Sequence, residues 1–489
     1  MCAKLKSLSL ENFRVFEKMT DFKFEKINII TGPNNSGKSS LIKALLLLQD
    51  NYIDGWSILN FDKGNHNLIS YEHTVNNQSN QDYIRINFTV DNSDFSNNNA
   101  DDILGAELIF KKIDEFVLLT EAKFLNAEGN KVTTAKLIGQ GEDIFKYYLS
   151  PNWFVDNCPL SEDEISKLAD TNVSFSRTRL TRITTPHTLS DIISRSNYFI
   201  THLISNRKAP FTDLFDSKDL SEKIKFTFSD LSIEEVLNLD LLRNFDHKPA
   251  IYFFFHKYNL KYEPAVRNQQ LTVYPFDHNF SQSLSGLMAI KSHYDNNSEE
   301  IRFINRWIGK HGFDIMQEID GIKIEKIPGA GYHFSFLRNS KTFDLTNLGS
   351  GAAQILPILI QIVISSKEST ILLEEPETNL HPNFQSKLAE LFMEASGDPF
   401  GHQFIIETHS EYLIRKLQYL VATKKIKSGE IQVYYFNLSS RTKANGIGQV
   451  MSIDIFDNGG LSQNFGEGFF DEASTLRFGL LEINNAQKN

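Results

Sequence analysis

A glycine-rich stretch has the residue types and spacing of a phosphate-binding loop. Residues 32–39, GPNNSGKS, fit the pattern G-x-x-x-x-G-K-[ST] and stand between the apolar run INIIT and a leucine-rich run. Glycines let a tight turn aim backbone N–H groups at phosphate oxygens, and a helix start adds a positive dipole end. The stretch predicts nucleoside triphosphate binding, with Lys38 reaching the β- and γ-phosphates and the Ser39 hydroxyl binding Mg²⁺. The predicted nucleotide contacts are Gly32, Pro33, Asn34, Asn35, Ser36, Gly37, Lys38, Ser39 and Ser40.

A short apolar run that ends in two acids supplies a second element of this chemistry. Residues 371–373 have the composition of a buried strand, and Glu374 and Glu375 follow them. We expect Glu374 to hold Mg²⁺, directly or through water. Strand alternation would direct Glu375 away from Glu374, where it can orient the attacking water as a general base. Two adjacent buried carboxylates repel each other without a cation, so the pair favours a metal site.

Two further turns are candidates for phosphate contact. The apolar residues 404–406 lead into the sequence ETHS, which places His409 at the carboxyl end of a strand, where it can sense a γ-phosphate oxygen. Gly349, Ser350 and Gly351 precede a helix-like run, and the backbone N–H groups and serine hydroxyl there can bind another phosphate group.

The pattern of apolar and polar residues divides the chain into four parts. Residues 1–150 carry the glycine loop, two strands before it and a helix after it, and then runs such as YIRINFTV that predict an antiparallel layer. Residues 151–335 are predicted to be mainly helical, without the sustained heptads of a long coiled coil. Residues 336–430 return to strand, turn and helix, and residues 431–489 form a short strand-rich tail. The predicted fold class is α/β.

Composition limits the classes of partner. The chain has 489 residues, 41% of them hydrophobic, and a formal net charge of −11, which gives no overall electrostatic attraction to nucleic acid. Two local basic patches are present, for which a solvated face is the favoured interpretation and contact with DNA or RNA the alternative. They are Arg177, Arg179 and Arg182, and Arg415, Lys416, Lys424, Lys425 and Lys427.

Cysteine content and hydropathy indicate a cytoplasmic protein. Cys2 and Cys158 lie far apart without a CxxC partner, which argues against disulfides and a structural zinc site. The first residues lack an apolar core of signal-peptide length, and the longest apolar run, residues 355–364, is too short to span a bilayer. We therefore expect no membrane association.

These elements, in this order, resemble the ABC-type ATPases of the SMC/RecF/OLD kind. The opening LSLENFRVFE resembles the start of those chains, with Asn12, Phe13 and Arg14 in their "NF-basic" element. LGSGAAQILPIL resembles their signature motif, and ETHSEYLIRKL resembles their switch-histidine segment. EEPETNLHP resembles their Walker B motif and D-loop, with Asn379 and His381 in the latter.

The resemblance implies a P-loop ATPase head with a mixed or parallel sheet core and an antiparallel β-layer. Residues 1–150 and 336–430 would be its two halves, with the insertion between Walker A and the signature, and Arg14 would join the nucleotide site. In such ATPases the signature of one head closes over ATP on another, so Ser350 would act in trans within a homodimer or higher even-numbered oligomer. Two positions depart from the family pattern: Glu374 replaces the usual aspartate, and the signature reads GSGAAQ instead of SGGQ, which leaves a different role for Gln354.

Further segments resemble a bacterial subgroup with a short conserved C-terminal domain of unassigned function. They are NRKAPFTDLF with Arg207, which could serve a phosphate or hold a loop, FINRWIGKHG, and GFFDEAST. Related chains include the ATPase subunits of anti-phage systems of the Septu type, which work with an HNH nuclease. The implied function is the regulatory or sensing subunit of a bacterial defence or DNA-maintenance complex with a partner nuclease.

Two other functions remain as alternatives. One is an OLD-like nuclease or DNA repair ATPase that acts on DNA itself, for which the tail offers the acids Asp454, Asp457, Asp471 and Glu472. The other is the cytosolic ATPase of a transporter, which the long insertion and the unusual signature disfavour.

Overall fold

The structure is a computed structural model. It describes residues 3–52, 59–62, 64–91, 104–113, 116–126, 131–141, 144–149, 173–176, 260–265, 273, 275, 299–315, 320–339, 341–344, 350–437, 448–466, 469–470, 476–481 and 483. The strands there are β1 (Lys4–Glu11), β2 (Thr20–Lys23), β3 (Ile27–Thr31), β4 (Tyr83–Asp91), β5 (Gly105–Ile113), β6 (Phe116–Leu125), β7 (Lys131–Gly141), β8 (Ile144–Leu149), β9 (Val173–Ser176), β10 (Leu260–Glu263), β11 (Gly321–Ile327), β12 (Gly331–Arg338), β13 (Lys341–Asp344), β14 (Thr370–Glu374), β15 (Gln403–Glu407), β16 (Ile431–Phe436) and β17 (Val450–Ile453). The helices there are α1 (Ser39–Tyr52), α2 (Glu299–Ile308), α3 (Ser350–Ile364), α4 (Pro382–Ala395) and α5 (Glu411–Ala422), with a 3₁₀ turn at Ser428–Glu430.

The chain divides into two compact units that do not follow sequence order. The first contains residues 1–23 and 40–257, and the second contains residues 24–39 and 258–489. The phosphate loop therefore belongs to the second unit, together with the two acidic strands, β14 and β15, which end at Glu374 and Glu407. The four parts inferred from the sequence stay a prediction.

An antiparallel sheet organises the described part of the first unit. Its strand order is β2-β1-β4-β5-β6-β7-β8-β9. Every second residue of β4 is buried, including Ile84, Ile86 and Phe88, because successive strand side chains point to opposite faces. Burial of each such side chain contributes roughly 1.5–3 kcal/mol.

A mainly parallel sheet organises the second unit. Its strand order is β10-β14-β15-β3-β16-β17, and only β16 and β17 pair antiparallel. All residues of β3 and of β15 are buried, which explains why apolar residues follow one another in each strand without strict alternation with polar ones. Phe392 of α4 packs against Phe404 of β15, with ring centroids 5.0 Å apart. A separate antiparallel sheet, β11-β12-β13, completes the unit.

The predicted fold class, a parallel sheet core with an antiparallel layer, is confirmed. One element was missed: three strands precede the phosphate loop, not two, because β2 pairs with β1 and buries only Phe22 among charged neighbours. Helix α2 lies within residues 151–335, the part predicted to be mainly helical. Most of that predicted helical insertion lies outside the described residues.

Candidate nucleotide site at the carboxyl edge of the parallel sheet

Three neighbouring strands bring the predicted site together. Strands β14, β15 and β3 are adjacent and parallel, so their carboxyl ends meet at one edge, where such sheets bind ligands. Glu374 pairs in register with Glu407, and Glu407 pairs with Ile30. The Thr31 hydroxyl donates to the Thr408 carbonyl oxygen at 2.7 Å and ties the loop strand to β15.

The loop after β3 has the backbone of a phosphate cradle. Gly32, Asn35 and Gly37 all have positive φ, at 143°, 62° and 98°. A Cβ atom on Gly32 would lie 2.4 Å from the Phe436 carbonyl oxygen, so glycine is required there. Ser36 is buried, and its Oγ has no hydrogen-bond partner among the described residues. The loop therefore fits a ligand rich in acceptor oxygens.

Lys38 lies folded over this loop. Its side chain is buried, and Nζ donates to the carbonyl oxygens of Gly32 at 3.1 Å and Pro33 at 2.9 Å. Burial lowers the pKa of Lys38, while the nearby carboxylates of Glu407 and Glu375 raise it.

Ser39 opens α1 and contacts the middle strand of the three. Its hydroxyl donates to Glu407 Oε1 at 3.0 Å. Glu407 is only 5% exposed, and burial raises its pKa to about 7; the Ser39 hydrogen bond lowers that pKa and the charge of Glu374 raises it further. The other oxygen, Oε2, is buried without a hydrogen-bond partner among the described residues.

Glu375 leaves β14 with an unusual backbone. The strand ends at Glu374, and Glu375 has φ +43°. Strand alternation therefore does not set the direction of the Glu375 side chain, and its role as general base stays a prediction. The Glu375 N–H donates to the Glu407 carbonyl oxygen at 2.7 Å, and the Thr378 hydroxyl donates to Glu375 Oε2 at 3.1 Å. Left-handed backbone in a non-glycine residue is strained and is concentrated at functional sites.

His409 is held by a buried acid of the D-loop segment. Its backbone N–H donates to Glu377 Oε1 at 2.6 Å, and the next residue, Ser410, caps α5 by accepting from the Leu413 N–H at 3.1 Å. Burial lowers the pKa of His409, as does the charge of Lys38, so the imidazole is neutral at pH 7. Burial raises the pKa of Glu377.

The helix after the Gly-Ser-Gly turn begins where the sequence predicts. Helix α3 starts at Ser350, and Gly349 lies outside the described residues. A Cβ on Gly351 would lie 3.7 Å from Leu380 in the segment after Glu375, so this helix start borders the segment that resembles a D-loop. Gln354 is buried and donates to the Ala265 carbonyl oxygen at 3.3 Å, which indicates a structural tie to the segment after β10.

Arg14 belongs to the first unit. It has φ +50°, and its Nε donates to Ser40 Oγ at 3.1 Å. Asn12 supports this turn by donating to the Tyr83 carbonyl oxygen at 2.6 Å, and Phe13 is fully buried. Burial lowers the pKa of Arg14.

Residues 4–414 match the protein family described as "AAA ATPase domain", a match that includes the loop, both acidic strands and His409. The chain belongs to this family. Beyond the AAA ATPase domain, residues 426–477 match a family described as "protein of unknown function (DUF3696)", in agreement with the expected short C-terminal domain. Among curated proteins, none matches the sequence significantly.

Solved structures of SMC heads are similar over most of the chain. An SMC head bound to the C-winged helix domain of ScpA is 12% identical, with a TM-score of 0.35, covering 92% of this chain and 98% of that one. An SMC head with an extended coiled coil, bound to the C-terminal domain of ScpA from Pyrococcus furiosus, is 13% identical, with a TM-score of 0.38 and coverages of 92% and 96%. The SMC head domain of Thermotoga maritima is 13% identical, with a TM-score of 0.30 and coverages of 92% and 98%.

The donor set of the AAA ATPase domain fits magnesium that arrives with phosphate. Within the described residues, no three acidic, histidine or cysteine side chains are grouped closely enough to hold a metal by themselves. Mg²⁺ prefers oxygen ligands and usually combines one or two carboxylates with substrate phosphates and water. The hydroxyl of Ser39 and the carboxylates at the ends of β14 and β15 supply such oxygens.

Some of the remaining candidates lie within the described residues and have other contacts there. Lys416 pairs with Glu390 at 2.7 Å and Arg415 pairs with Glu411, which favours a solvated face for that patch. Asp457 accepts from the Ser428 hydroxyl. The other patch (Arg177, Arg179, Arg182), Arg207, Asp471 and Glu472 lie outside the described residues. In the described part of the chain, no helix has the length and apolar character to cross a membrane.

Two buried acids of the site had no role in the sequence-based account. Glu407 and Glu377 are 5% and 7% exposed, and each contacts a predicted site residue, Ser39 or His409. One signal was available for Glu407: it is an acid that directly ends the apolar run FII, and a charge in that position is costly unless it is used.

Proposed function

We propose that the carboxyl edge of the parallel sheet binds ATP with Mg²⁺ and hydrolyses the γ-phosphate. The observation that carries the proposal is the convergence of the phosphate loop, the Glu374–Glu375 pair and His409 on three adjacent strand ends. Membership of the AAA ATPase domain family supports it.

The loop and Lys38 bind the phosphates in this proposal. Backbone N–H groups of residues 32–39 and the N-terminal end of α1 face the β-phosphate, and Arg14 and Ser40 contribute to nucleotide binding. Lys38, which donates to its own loop in the present structure, exchanges these bonds for β- and γ-phosphate oxygens. Ser39 and Glu374 would hold Mg²⁺, which would supply positive charge for the phosphates.

Glu375 and His409 act on the reaction centre. Glu375 accepts a proton from the attacking water while the water oxygen bonds to the γ-phosphorus and the bond to the β–γ bridging oxygen breaks. The Thr378 hydroxyl holds the Glu375 carboxylate, which supports this role. His409, neutral at pH 7, hydrogen-bonds a γ-phosphate oxygen.

We propose further that two copies share the nucleotides. Gly349, Ser350 and Gly351 of one copy contact ATP bound by another, and a two-fold axis lets identical chains do this reciprocally. The border between the start of α3 and the D-loop supports this, because it groups segments expected to face a partner. ATP closes the pair, and hydrolysis releases it.

The chemistry is tested with the purified chain. Fluorescent ATP should bind, and phosphate should be released with Mg²⁺ but not with a chelator. A chain that neither binds nor hydrolyses ATP would contradict the proposal. For assembly, Glu375→Gln with ATP and Mg²⁺ should double in mass, and the added change Ser350→Arg should prevent doubling while ATP still binds.

The biological setting we propose is a bacterial defence complex in which this ATPase senses or regulates and a partner nuclease acts. The residue patterns that resemble Septu-type subunits support it. Incubation of the chain alone with plasmid DNA, Mg²⁺ and Mn²⁺ should leave the DNA intact. Cleavage by the chain alone would favour the OLD-like alternative.

A further inference from the structure

The carboxylate of Glu407 lies between the phosphate-loop strand and the acidic strand. It ends β15, the strand that pairs with β3 on one side and β14 on the other. Its contact with Ser39 joins residues 368 positions apart, and the side chain is nearly inaccessible to water. A buried carboxylate costs stability, so its retention at this edge indicates a function.

The direction of the hydrogen bond is informative. An ionised carboxylate can only accept, whereas a serine hydroxyl has one hydrogen and two lone pairs. The Ser39 hydrogen therefore points towards Glu407 Oε1, and the lone pairs of Ser39 Oγ face away from it.

The second oxygen of Glu407 adds to the same site. Register partners on adjacent strands direct their side chains to the same face, so Glu407 and Glu374 lie side by side. Glu407 Oε2 is buried and has no hydrogen-bond partner among the described residues. Waters that Mg²⁺ keeps when it binds phosphate need such acceptors.

We propose that Glu407 is a positioning residue for the divalent cation of the nucleotide: it orients the Ser39 hydroxyl towards the cation and, beside Glu374, accepts hydrogen bonds from the cation's water shell. This inference rests on the proposed ATP site and deepens it. Glu407 acts through Ser39 and water, so its loss should weaken the contribution of Mg²⁺ to nucleotide binding more than binding of the phosphates themselves.

The test compares nucleotide affinity with and without the cation. Fluorescent ATP is titrated into wild type and Glu407→Gln, in Mg²⁺ and in EDTA. The readout is the Mg²⁺ ratio, which is the affinity in Mg²⁺ divided by the affinity in EDTA. The expected result is a ratio about tenfold smaller in Glu407→Gln, while affinity in EDTA is unchanged or increased because a negative charge is removed. Glutamine has the same shape, and a melting curve checks that the variant is folded.

Two further variants make the test specific. Glu377→Gln removes another buried charge at the same edge, one that accepts from the His409 N–H, so its Mg²⁺ ratio should fall by less than that of Glu407→Gln. In a double-mutant cycle, the loss in Ser39→Ala with Glu407→Gln should be smaller than the sum of the two single losses, because part of the action of Glu407 passes through the hydroxyl.

The outcomes separate this inference from the proposed function. A wild-type chain whose ATP binding does not respond to Mg²⁺ would overturn both. If ATP binding by wild type does respond to Mg²⁺, two results would overturn only the role of Glu407. One is a Glu407→Gln ratio equal to the wild-type ratio. The other is a double variant whose loss in this ratio is the full sum of the Glu407→Gln and Ser39→Ala losses.

Discussion

The antiparallel sheet of the first unit and the parallel sheet of the second use charge in opposite ways. Across the antiparallel strands, charges pair on a partly exposed face, as Lys111 does with Asp82 at 3.1 Å and Lys123 with Glu107 at 2.7 Å. At the carboxyl edge of the parallel sheet, Lys38 and Glu407 are buried instead. Exposed pairs contribute up to about 1 kcal/mol, whereas buried charges cost stability. The buried charges at the edge of the parallel sheet are therefore best explained by a functional site. The changes below test this contrast between the two sheets.

The largest effect is expected from Glu375→Gln. The amide cannot accept the proton of the attacking water, so hydrolysis should fall about 10²–10⁴-fold, while ATP still binds. Phosphate release and equilibrium binding of ATP measure the two properties. Hydrolysis at the wild-type rate would remove Glu375 from the role of general base.

Lys38→Ala should come next. The change removes the charged donor that we expect to bind the β- and γ-phosphates, and a hydrogen bond to a charged group is worth about 1.5–3 kcal/mol, so ATP affinity should fall roughly 10–100-fold. Titration with fluorescent ATP measures it. An affinity equal to that of wild type would show that the nucleotide does not use this loop.

Glu407→Gln should change how stability depends on pH. Burial raises the pKa of Glu407 from 4.5 to about 7, so the folded state holds the proton more tightly than the unfolded state. Its contribution to stability is therefore present below about pH 4.5 and is lost as pH rises through about 7, by about 3 kcal/mol at about 1.4 kcal/mol per pKa unit.

Urea unfolding of both proteins from pH 4.5 to 8 measures this effect. As pH rises, the free energy of unfolding of Glu407→Gln should increase relative to that of wild type. Glu377→Gln should change in the same direction, because burial also raises the pKa of Glu377. Parallel curves for wild type and Glu407→Gln would contradict the expectation.

The smallest effect is expected in the antiparallel sheet. Lys111→Ala removes an exposed ion pair with Asp82, so the free energy of unfolding should change by less than about 1 kcal/mol and ATP hydrolysis should match that of wild type. A loss of ATP affinity comparable to that of Lys38→Ala would contradict the distinction between the two sheets.

Local patterns predicted much of this architecture. The phosphate loop, the strands that end at Glu374 and Glu407, and the helix that begins at Ser350 follow from short apolar runs next to glycine or acidic residues. Three features do not follow from local patterns. The left-handed backbone of Glu375 accompanies its hydrogen bond to β15. The apolar signal of β2 is weak because charged residues flank Phe22. The contact of Ser39 with Glu407 depends on the order of the strands in the sheet.

A structure of Glu375→Gln with ATP and Mg²⁺ tests the central claim most directly. We expect phosphates against the backbone of residues 32–39, Lys38 on the β- and γ-phosphates, and Mg²⁺ at Ser39 and Glu374. Nucleotide bound elsewhere, or a cation that contacts neither Ser39 nor Glu374, would contradict it.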